Sequence, residues 1–339
     1  MTMKTIVAYV AILQLVTSIA TKLGTSKSPV ISDKFWNYNS PVLSYPTKIR
    51  YKDYDQNYYS KPVDQASGSN VLFLHGFGGN ADQFRENMPF MLENGHKSYA
   101  MDLLGYGYSE KPDPKAYDVN YLYNFENWAH QTVNFVTEVV KEPTYLVCNS
   151  VGGVVGLQAA KISPNMIKGV ILINISMRML HVTKQPPLAR PFIKLFQDVL
   201  RETPMGPIFF SLIAQREGLR NILRQAYADP KGIDDTILDV ILKPGLLPGA
   251  AAVFLDFISY SGGPLPEQLL NEVKCPVRIL WGEKDPWEPI EMGRKFASYE
   301  CVDEFITLPG AGHCPMDQVP DMVNKEILEF LRAQTVVNI

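Results

Sequence analysis

Cysteine is scarce in this chain, and its spacing excludes the usual roles of a cysteine cluster. None of the four cysteines forms a C-x-x-C pair, so we interpret them as free thiols rather than as a disulfide framework. Three histidines, His96, His130 and His181, also lack the spacing of metal ligands. The sequence therefore predicts no metal site.

The chain also lacks a large excess of positive or negative charge. The formal net charge is −3, the pI is about 6.0, and no stripe of basic residues runs through the chain. Nucleic-acid binding needs a positive surface, so nucleic acid is not an expected partner. With 46% hydrophobic residues over 339 positions, the chain can bury a large core.

The N-terminus differs in kind from the rest of the chain. A short basic lead precedes an apolar run from Ile6 to Ala20 that is too short to span a bilayer comfortably. It ends in the small-residue signal Ser18-Ile19-Ala20, which is typical of a cleavage site. We interpret residues 1–20 as a secretory signal peptide, with an uncleaved membrane anchor as the alternative.

Residues 21–69 form a lead-in to the main pattern. Its first part, Thr21 to Ser32, lacks core-forming residues and is a candidate second targeting element. Thr47 to Tyr54 has the composition of a strand, so we predict that the lead-in contains the first strand or strands of the fold.

Ser150 lies between a strand-like run and a helix-like run. The apolar segment Thr144 to Val147 precedes Cys148-Asn149-Ser150-Val151-Gly152-Gly153, and helical spacing follows from Val154 to Lys161. A serine at such a junction is typical of a nucleophile elbow, in which a strained turn exposes the hydroxyl. The usual pattern is G-x-S-x-G, and Cys148 replaces the first glycine. By itself, a serine here would be interpreted as a helix N-cap.

A glycine-rich turn follows an earlier strand-like run. The predicted strand Asn70 to Leu74 leads into His75-Gly76-Phe77-Gly78-Gly79-Asn80. A turn of this kind leaves backbone N–H groups free to bind developing negative charge. We therefore predict an oxyanion hole formed by the amides of Phe77 and of Val151, the residue after the candidate nucleophile.

Two further candidates follow predicted strands nearer the C-terminus. Asp285 lies in the loop after Pro276 to Gly282, and His313 lies in the loop after Glu304 to Leu308. Glu283 is the nearest rival acid, but it lies closer to the strand. The order serine, aspartate, histidine is that of α/β-hydrolase triads. We predict these two residues and the elbow serine as a catalytic triad, although each alone would be assigned an ordinary structural role.

Apolar strand-like runs that alternate with helical stretches predict an α/β fold. Runs without internal alternation are typical of parallel strands covered on both faces. We predict the α/β-hydrolase fold, a mostly parallel sheet with helices on both faces, in residues 70–177 and 264–339. The predicted strands lie near 71–75, 98–104, 144–149, 169–175, 277–282 and 304–308, and the helices near 81–94, 121–141, 151–162, 289–299 and 320–334.

Residues 178–263 interrupt this alternation with helical patterns, several prolines and no convincing strand. We predict an inserted helical cap over the strand ends, where substrate selection should occur. Its apolar clusters either pack the cap on the core, form a groove for a long hydrocarbon group, or form a face that dips into a membrane. The clusters are 191–196, 207–213 and 250–257.

Several segments resemble one group of α/β-hydrolases. They are Asp102 to Ser109, Cys148 to Ala160, Asn174 to His181, Ser259 to Pro266 and Trp281 to Pro289. Between Asn70 and Leu331 the chain resembles the plant and algal α/β-hydrolases that include chlorophyll dephytylase, with pheophytinase as a more distant relative. The triad segments are shared by a very large superfamily, whereas the cap segments carry the narrower assignment.

The resemblance implies hydrolysis of the phytyl ester of chlorophyll through an acyl-enzyme on Ser150, with no metal or organic cofactor. It implies a lipophilic ester as the small-molecule partner, chlorophyll or a related pigment. The apolar clusters of the cap make peripheral membrane contact a candidate interaction. It also implies a plastid, entered through the secretory-type signal, and secretion or an endomembrane lumen is the alternative. Substrate contacts are expected from His75, Gly76, Tyr106, Met177, Phe209, Phe254 and Trp287.

Other functions stay open from the sequence. The triad would serve equally well in another carboxylesterase or lipase. A non-catalytic binding protein of the same fold would keep the pocket, although it has less need of an intact oxyanion loop and acid. Dehalogenases and epoxide hydrolases of this fold use a carboxylate nucleophile, and the serine at position 150 argues against them.

Overall fold

A single sheet organises the chain. The structure is a computed structural model that describes residues 31–54, 68–117 and 119–337. The predicted signal peptide, residues 1–20, lies outside the described residues. Within the described residues the sheet has eight strands. They are β1 (Ile31–Tyr38), β2 (Thr47–Tyr54), β3 (Asn70–Leu74), β4 (Lys97–Met101), β5 (Thr144–Asn149), β6 (Ile167–Ile173), β7 (Val277–Gly282) and β8 (Val302–Leu308).

The strand order in the sheet is β1-β2-β4-β3-β5-β6-β7-β8. β1 pairs antiparallel with β2, β2 pairs antiparallel with β4, and every other neighbouring pair is parallel. Strands β3, β5 and β7 are buried along their whole length, as expected where both faces of a parallel sheet are covered. The predicted mostly parallel sheet is confirmed.

Twelve α-helices lie in the described residues. They are α1 (Asn87–Glu93), α2 (Phe125–Phe135), α3 (Val151–Ile162), α4 (Arg190–Glu202), α5 (Met205–Ile213), α6 (Arg216–Ala226), α7 (Asp235–Gly245), α8 (Ala250–Ile258), α9 (Pro266–Leu269), α10 (Ile290–Gly293), α11 (Pro315–Gln318) and α12 (Pro320–Val337). α2 and α3 pack in the core cluster that contains Leu72 and Leu146, whereas α1 and α12 pack in the cluster that contains Val71 and Val147. Since neighbouring residues of a strand point to opposite faces, helices cover both faces of the sheet, as predicted.

The lead-in forms two strands where the sequence pattern indicates one. β2 coincides with the strand predicted at 47–54, and β1 pairs with it along its whole length. Ile31 and Ser32, which were assigned to a targeting element, belong to β1. This strand was not predicted because an edge strand with charged residues, here Asp33 and Lys34, shows no apolar run.

Local hydrogen bonds set the helix ends. The helix predicted at 81–94 is broken, because a 3-10 turn, Ala81–Phe84, precedes α1. Asn80 caps that turn, and its side chain accepts a hydrogen bond from the Asp82 amide at 2.9 Å. The helix predicted at 151–162 is α3, and the remaining predicted helices correspond to α2, α10 and α12 with shifted ends.

Helices α4 to α8 lie in the long segment between β6 and β7. We call residues 178–263 of this segment the cap. Arg178 joins its two ends, because the guanidinium donates hydrogen bonds to the carbonyls of Gly262 and Pro264. Within the described residues, no single helix is long and apolar enough to cross a membrane; α7 and α8 reach that length and composition only as a pair, bent by 91°.

Strand β5 and helix α3 approach each other closely where Cys148 faces Gly156. A Cβ atom added to Gly156 would lie 2.5 Å from Sγ of Cys148, well inside contact distance. The missing Cβ on α3 therefore makes room for the cysteine that replaces the usual first glycine of the elbow.

Gly156→Ala should lower the free energy of unfolding by about 1–3 kcal/mol, because the added methyl overpacks against the Cys148 sulfur. In a Cys148→Ala background the same change should be neutral or stabilising by up to about 1 kcal/mol, since alanine favours a helix over glycine. Urea unfolding of the parent, both single variants and the double variant measures the coupling. Equal effects of the Gly156 substitution in both backgrounds would contradict this account.

Candidate active site

Ser150 lies at the junction of β5 and α3 in a backbone conformation that serine rarely adopts. Its φ is 53° and its ψ is −117°. Its amide donates to the carbonyl of Ile173 at 3.0 Å, and its carbonyl accepts from the amides of Gly153 and Ser176 at 3.0 and 3.1 Å. These bonds hold the strained turn, so the serine stays fixed at the carboxyl end of the sheet.

His313 joins Ser150 to Asp285. Its Nε2 lies 2.9 Å from Oγ of Ser150, and its Nδ1 lies 2.6 Å from Oδ2 of Asp285. All three residues are buried. With a proton on Nδ1 bound to the carboxylate, Nε2 is free to accept the serine proton. The fold thus brings together the three predicted residues, although 163 positions separate the serine from the histidine.

Three neighbours fix the Asp285 carboxylate. Oδ2 also accepts a hydrogen bond from the Asn174 side chain at 2.7 Å, and Oδ1 accepts from the amides of Trp287 and Glu288 at 2.9 and 3.1 Å. Asn174 follows β6 with a φ of 45°, and its side-chain oxygen accepts from the Gly282 amide at 2.9 Å. Asn174 was not predicted as a site residue. The sequence feature that could have identified it is an amide side chain directly after a buried strand.

The loop that carries His313 is held from two sides. The backbone amide of His313 donates a hydrogen bond to the carbonyl of Ala226 in α6 at 2.8 Å. The backbone carbonyl of His313 accepts one from the Asn149 side chain at 3.2 Å. Gly312 has no room for a side chain, because a Cβ there would lie 2.3 Å from the Ala226 oxygen. The cap therefore contacts the histidine loop directly.

The two candidate oxyanion donors adjoin Ser150. A Cβ on Gly76 would lie 2.9 Å from Cβ of Ser150, so the loop after β3 reaches the serine closely. Phe77 and Val151 both line the cavity above the serine, and neither amide has an acceptor among the described residues. Free N–H groups in this position are able to bind an oxyanion.

An apolar cavity of about 540 Å³ opens above Ser150. The core loops form its floor, and cap helices form its walls. The apolar cap residues of the wall include Phe210, Ile213, Leu223, Ile241 and Phe254. A cavity of this size and character suits a lipophilic ligand.

Gly76, Phe254 and Trp287, three of the residues predicted to contact substrate, line this cavity. The other four residues predicted to contact substrate do not belong to the wall of this cavity. They are His75, Tyr106, Met177 and Phe209.

These four residues lie in the core or on the outer side of the cap. His75 is sealed in the core, where Nε2 accepts from the Leu103 amide at 3.0 Å and burial lowers the pKa of the ring. Tyr106 packs behind the oxyanion loop against other aromatic rings, and Met177 is buried in the core beside α2 and α3. Phe209 lies on the outer side of α5 and is partly exposed.

Glu288 lines the cavity and was not predicted. It lies three residues after Asp285, and only 8% of it is exposed. Burial is the largest influence on its carboxyl group and raises the pKa to about 7; Asp285 also raises it, while the Met177 amide, His313 and Ser176 lower it. The sequence pattern does not indicate that Glu288 is buried, because a glutamate in a loop is ordinarily exposed.

The described residues contain no cluster of three or more His, Cys, Asp or Glu side chains that could hold a metal ion. The four cysteines are free thiols, as interpreted from their spacing. Two of them, Cys148 and Cys314, are buried, and burial raises the pKa of both thiols. They are therefore poor candidates for nucleophiles or metal ligands.

The chain is similar to plant and bacterial hydrolases. It is 27% identical to chloroplastic pheophytinase from Arabidopsis thaliana over 317 residues, which covers 79% of this chain but only 62% of that protein. It is 23% identical to the uncharacterized hydrolase YugF from Bacillus subtilis, over 81% of this chain and 94% of that one. A solved thermophilic esterase from Thermogutta terrifontis has the same fold, with a TM-score of 0.66 at 19% identity over 89% of this chain and 99% of the other.

Residues 71–326 match the sequence family described as the alpha/beta hydrolase family. The match runs from β3 into α12, so it includes all six parallel strands and the loops that carry Ser150, Asp285 and His313. The chain belongs to the alpha/beta hydrolase family.

Proposed function

We propose that this protein is a serine hydrolase that cleaves a lipophilic carboxylic ester through an acyl-enzyme on Ser150. The observation that carries the proposal is the hydrogen-bonded series Asp285, His313, Ser150 on the floor of an apolar cavity. Membership of a hydrolase family supports hydrolysis. The serine hydroxyl and the two free amides beside it support acyl transfer in particular.

In the first half-reaction, Oγ of Ser150 attacks the ester carbonyl while Nε2 of His313 takes the hydroxyl proton. The carbonyl oxygen becomes an oxyanion, which accepts hydrogen bonds from the amides of Phe77 and Val151. Asp285 stabilises the imidazolium through Nδ1. His313 then gives its proton to the alcohol oxygen, the bond between that oxygen and the carbonyl carbon breaks, and the alcohol leaves.

In the second half-reaction, water replaces the alcohol. Nε2 of His313 removes a proton from the water as it attacks the acyl-enzyme carbonyl, and the oxyanion is again held by the same two amides. Collapse releases the carboxylic acid and returns the proton to Ser150. The residues named above supply every proton transfer in both half-reactions.

The substrate that we propose is the phytyl ester of chlorophyll or of a related pigment. The apolar walls of the cavity suit the phytyl hydrocarbon chain. The sequence resemblance to chlorophyll dephytylases and the similarity to a protein named pheophytinase support this choice. Another lipophilic ester, or ligand binding without turnover, is the alternative.

A plastid is the proposed location. The relative from Arabidopsis thaliana is named as chloroplastic, which supports it. We propose entry through the secretory-type signal of residues 1–20, with a secreted or endomembrane location as the alternative.

The outer face of α4 and α5 is proposed to contact a lipid membrane. Large apolar side chains are exposed there at helical spacing, so each helix presents one apolar stripe, and the two helices pack on each other. We call these residues the apolar face: Leu188, Phe192, Leu195, Phe196, Met205, Ile208, Phe209 and Leu212. An exposed apolar patch of this extent is typical of an interaction surface.

The position of the apolar face favours a membrane over a protein partner. Phe210 and Ile213 of α5 line the cavity from the other side of the same helix, and Met179 and Leu180 are both cavity-lining and exposed. A bilayer on this face would supply a lipophilic ester to the cavity, whereas a protein there would cover its mouth. Lys194 of α4 is paired with Asp198, so the attraction should not depend on anionic lipid.

Ser150→Ala should lower kcat for a lipophilic ester by at least about 10⁴-fold, because it removes the nucleophile. The measurement is product analysis with purified protein and chlorophyll a, pheophytin a or short p-nitrophenyl esters. Ser163→Ala, at the far end of α3, is the matched control and should behave as the parent does.

The outcomes of that assay separate the candidate functions. Release of phytol by the parent supports the phytyl-ester proposal, and activity confined to short esters would remove it in favour of another esterase. A parent that binds the pigment without turnover, and a Ser150→Ala variant that binds equally well, would favour a non-catalytic protein.

The double variant Phe192→Ser, Phe196→Ser should bind phosphatidylcholine vesicles at least about tenfold more weakly than the parent, because two large apolar side chains no longer enter the lipid. Vesicle flotation measures the binding. Phe35→Ser is the matched control, since Phe35 on β1 is as exposed as Phe196, 59% in both cases. Unchanged binding by the double variant, or a dimer in solution that only this variant disrupts, would contradict the proposal.

A further inference from the structure

Trp287, in the loop after β7, contacts both the acid and the base of the triad. Its backbone amide donates a hydrogen bond to Oδ1 of Asp285 at 2.9 Å. Its indole ring lies against the imidazole of His313, with the ring centroids 5.0 Å apart and the ring planes at 57°. The same residue lines the cavity above Ser150. One residue therefore touches the acid through its backbone and the base through its side chain.

Packing in the core does not explain the indole at this position. Trp287 is 42% exposed, whereas Trp128 and Trp281 are fully buried. Among the described residues, His313 is the one aromatic side chain that the Trp287 ring contacts. A tryptophan that serves the core buries most of its large surface, so the contact with the histidine calls for a different explanation.

The imidazole of His313 carries a positive charge during the proposed reaction. When Nε2 takes the proton of the Ser150 hydroxyl, both ring nitrogens are protonated. Among the described residues, Asp285 is the one salt-bridge partner of this ring, and it faces Nδ1. His313 also lines the apolar cavity, where a positive charge is poorly solvated. A second favourable contact for the charge would therefore lower the barrier.

An aromatic ring face attracts a cation that lies within about 6 Å of the ring centroid, and tryptophan does so most strongly. The separation of 5.0 Å lies inside this range, and a tilt of 57° is nearer to edge-to-face packing than to stacking. The attraction is weak for the neutral imidazole and strong for the imidazolium. It therefore favours the transition state over the resting enzyme, which is the requirement for catalysis.

We propose that the indole face of Trp287 stabilises the imidazolium form of His313 in the transition states of both half-reactions. The inference rests on the proposed function, because the charge arises when His313 acts as the base. Trp287 is in this respect a positioning residue, since it acts through the histidine and not on the ester. Its backbone bond to Asp285 keeps the ring in register with the acid–base pair.

Two simpler roles for the indole make different predictions. A residue that contacts substrate affects the binding of the ester, and its effect varies with the length of the acyl chain. A residue that shields the histidine from water acts through its size and apolar surface. Neither role depends on the electron density of the indole face, which fluorine lowers with little change in size.

Fluorinated tryptophan tests the inference. Replacing all tryptophan by 5-fluorotryptophan should lower the single-turnover rate of p-nitrophenol release about twofold, and 5,7-difluorotryptophan should lower it further. The substrates are p-nitrophenyl butyrate and p-nitrophenyl decanoate, with the enzyme saturating, so that acylation is measured apart from product release. Both esters should be slowed by the same factor, because the charge on His313 is the same for both.

Trp287→Phe provides the matched background for the analogues. The chain has four tryptophans, so this variant keeps three, Trp36, Trp128 and Trp281. Fluorination of these three should leave the rate unchanged. Glu288 also faces His313, but it is present in every protein compared, so its effect cancels.

Variants of Trp287 give a second measure. Trp287→Phe keeps a weaker aromatic face and should lower the single-turnover rate about two- to threefold, whereas Trp287→Leu should lower it about five- to tenfold. Leucine still covers the histidine with an apolar side chain, so a shielding role predicts a smaller loss for it. Should Trp287→Leu fail to fold, the analogue series in the parent decides the question.

Three results would overturn the inference. They are a parent rate that does not fall on fluorination, an equal fall in the Trp287→Phe background, and a fall confined to one of the two esters. Failure of the proposed function is distinct from these. In that case the unfluorinated parent hydrolyses neither ester and an alkyl fluorophosphonate does not label Ser150, and the inference fails with it. A parent that reacts normally but is indifferent to fluorine overturns the role of Trp287 alone.

Discussion

The strained turn at Ser150 is the constraint on which the rest of the structure depends. The positive φ of this residue occurs where hydrogen bonds hold the turn and where the loop after β3 and helix α3 approach each other closely. A Cβ on Gly152 would lie 2.6 Å from the carbonyl oxygen of Leu74, and Gly76 and Gly156 have equally little room. Strain of this kind costs of order 1–3 kcal/mol, which the buried parallel strands on both sides must offset. Holding the Ser150 hydroxyl in place therefore lowers the net stability of the fold.

Parallel topology explains why the triad was predictable from sequence and why its supports were not. Parallel strands with apolar residues can be recognised in the sequence, so Ser150, Asp285 and His313, which lie in the loops after β5, β7 and β8, could be assigned from their order in the chain. Asn174 and Glu288 act through contacts between neighbouring loops, which depend on register and on burial. Neither strand register nor the burial of a loop residue can be read from a single sequence. Edge strand β1 was missed for the same reason, because its pairing and not its composition makes it a strand.

The cavity wall was harder to predict than the triad. Whether a side chain faces the ligand depends on its direction from the backbone and on how the cap packs, and periodicity fixes neither. His75 and Tyr106 follow or precede glycines in motifs that surround the site, yet both rings turn into the core. Phe254 and Phe210 reach the cavity because α5 and α8 contact each other above the oxyanion loop.

The cap has several hydrogen bonds to the core at the end of α6, close to the histidine loop. At the end of α6, Ala226 accepts the His313 amide, the hydroxyl of Tyr227 donates to Asp317 at 2.9 Å, and the Ala228 amide donates to Gln318 at 2.9 Å. Movement there would displace His313, the proposed base, so we expect this side of the cap to stay closed during turnover. The apolar face of α4 and α5 has no comparable bonds to the histidine loop among the described residues. Entry of a lipophilic ligand from that side would leave these contacts of the histidine loop undisturbed.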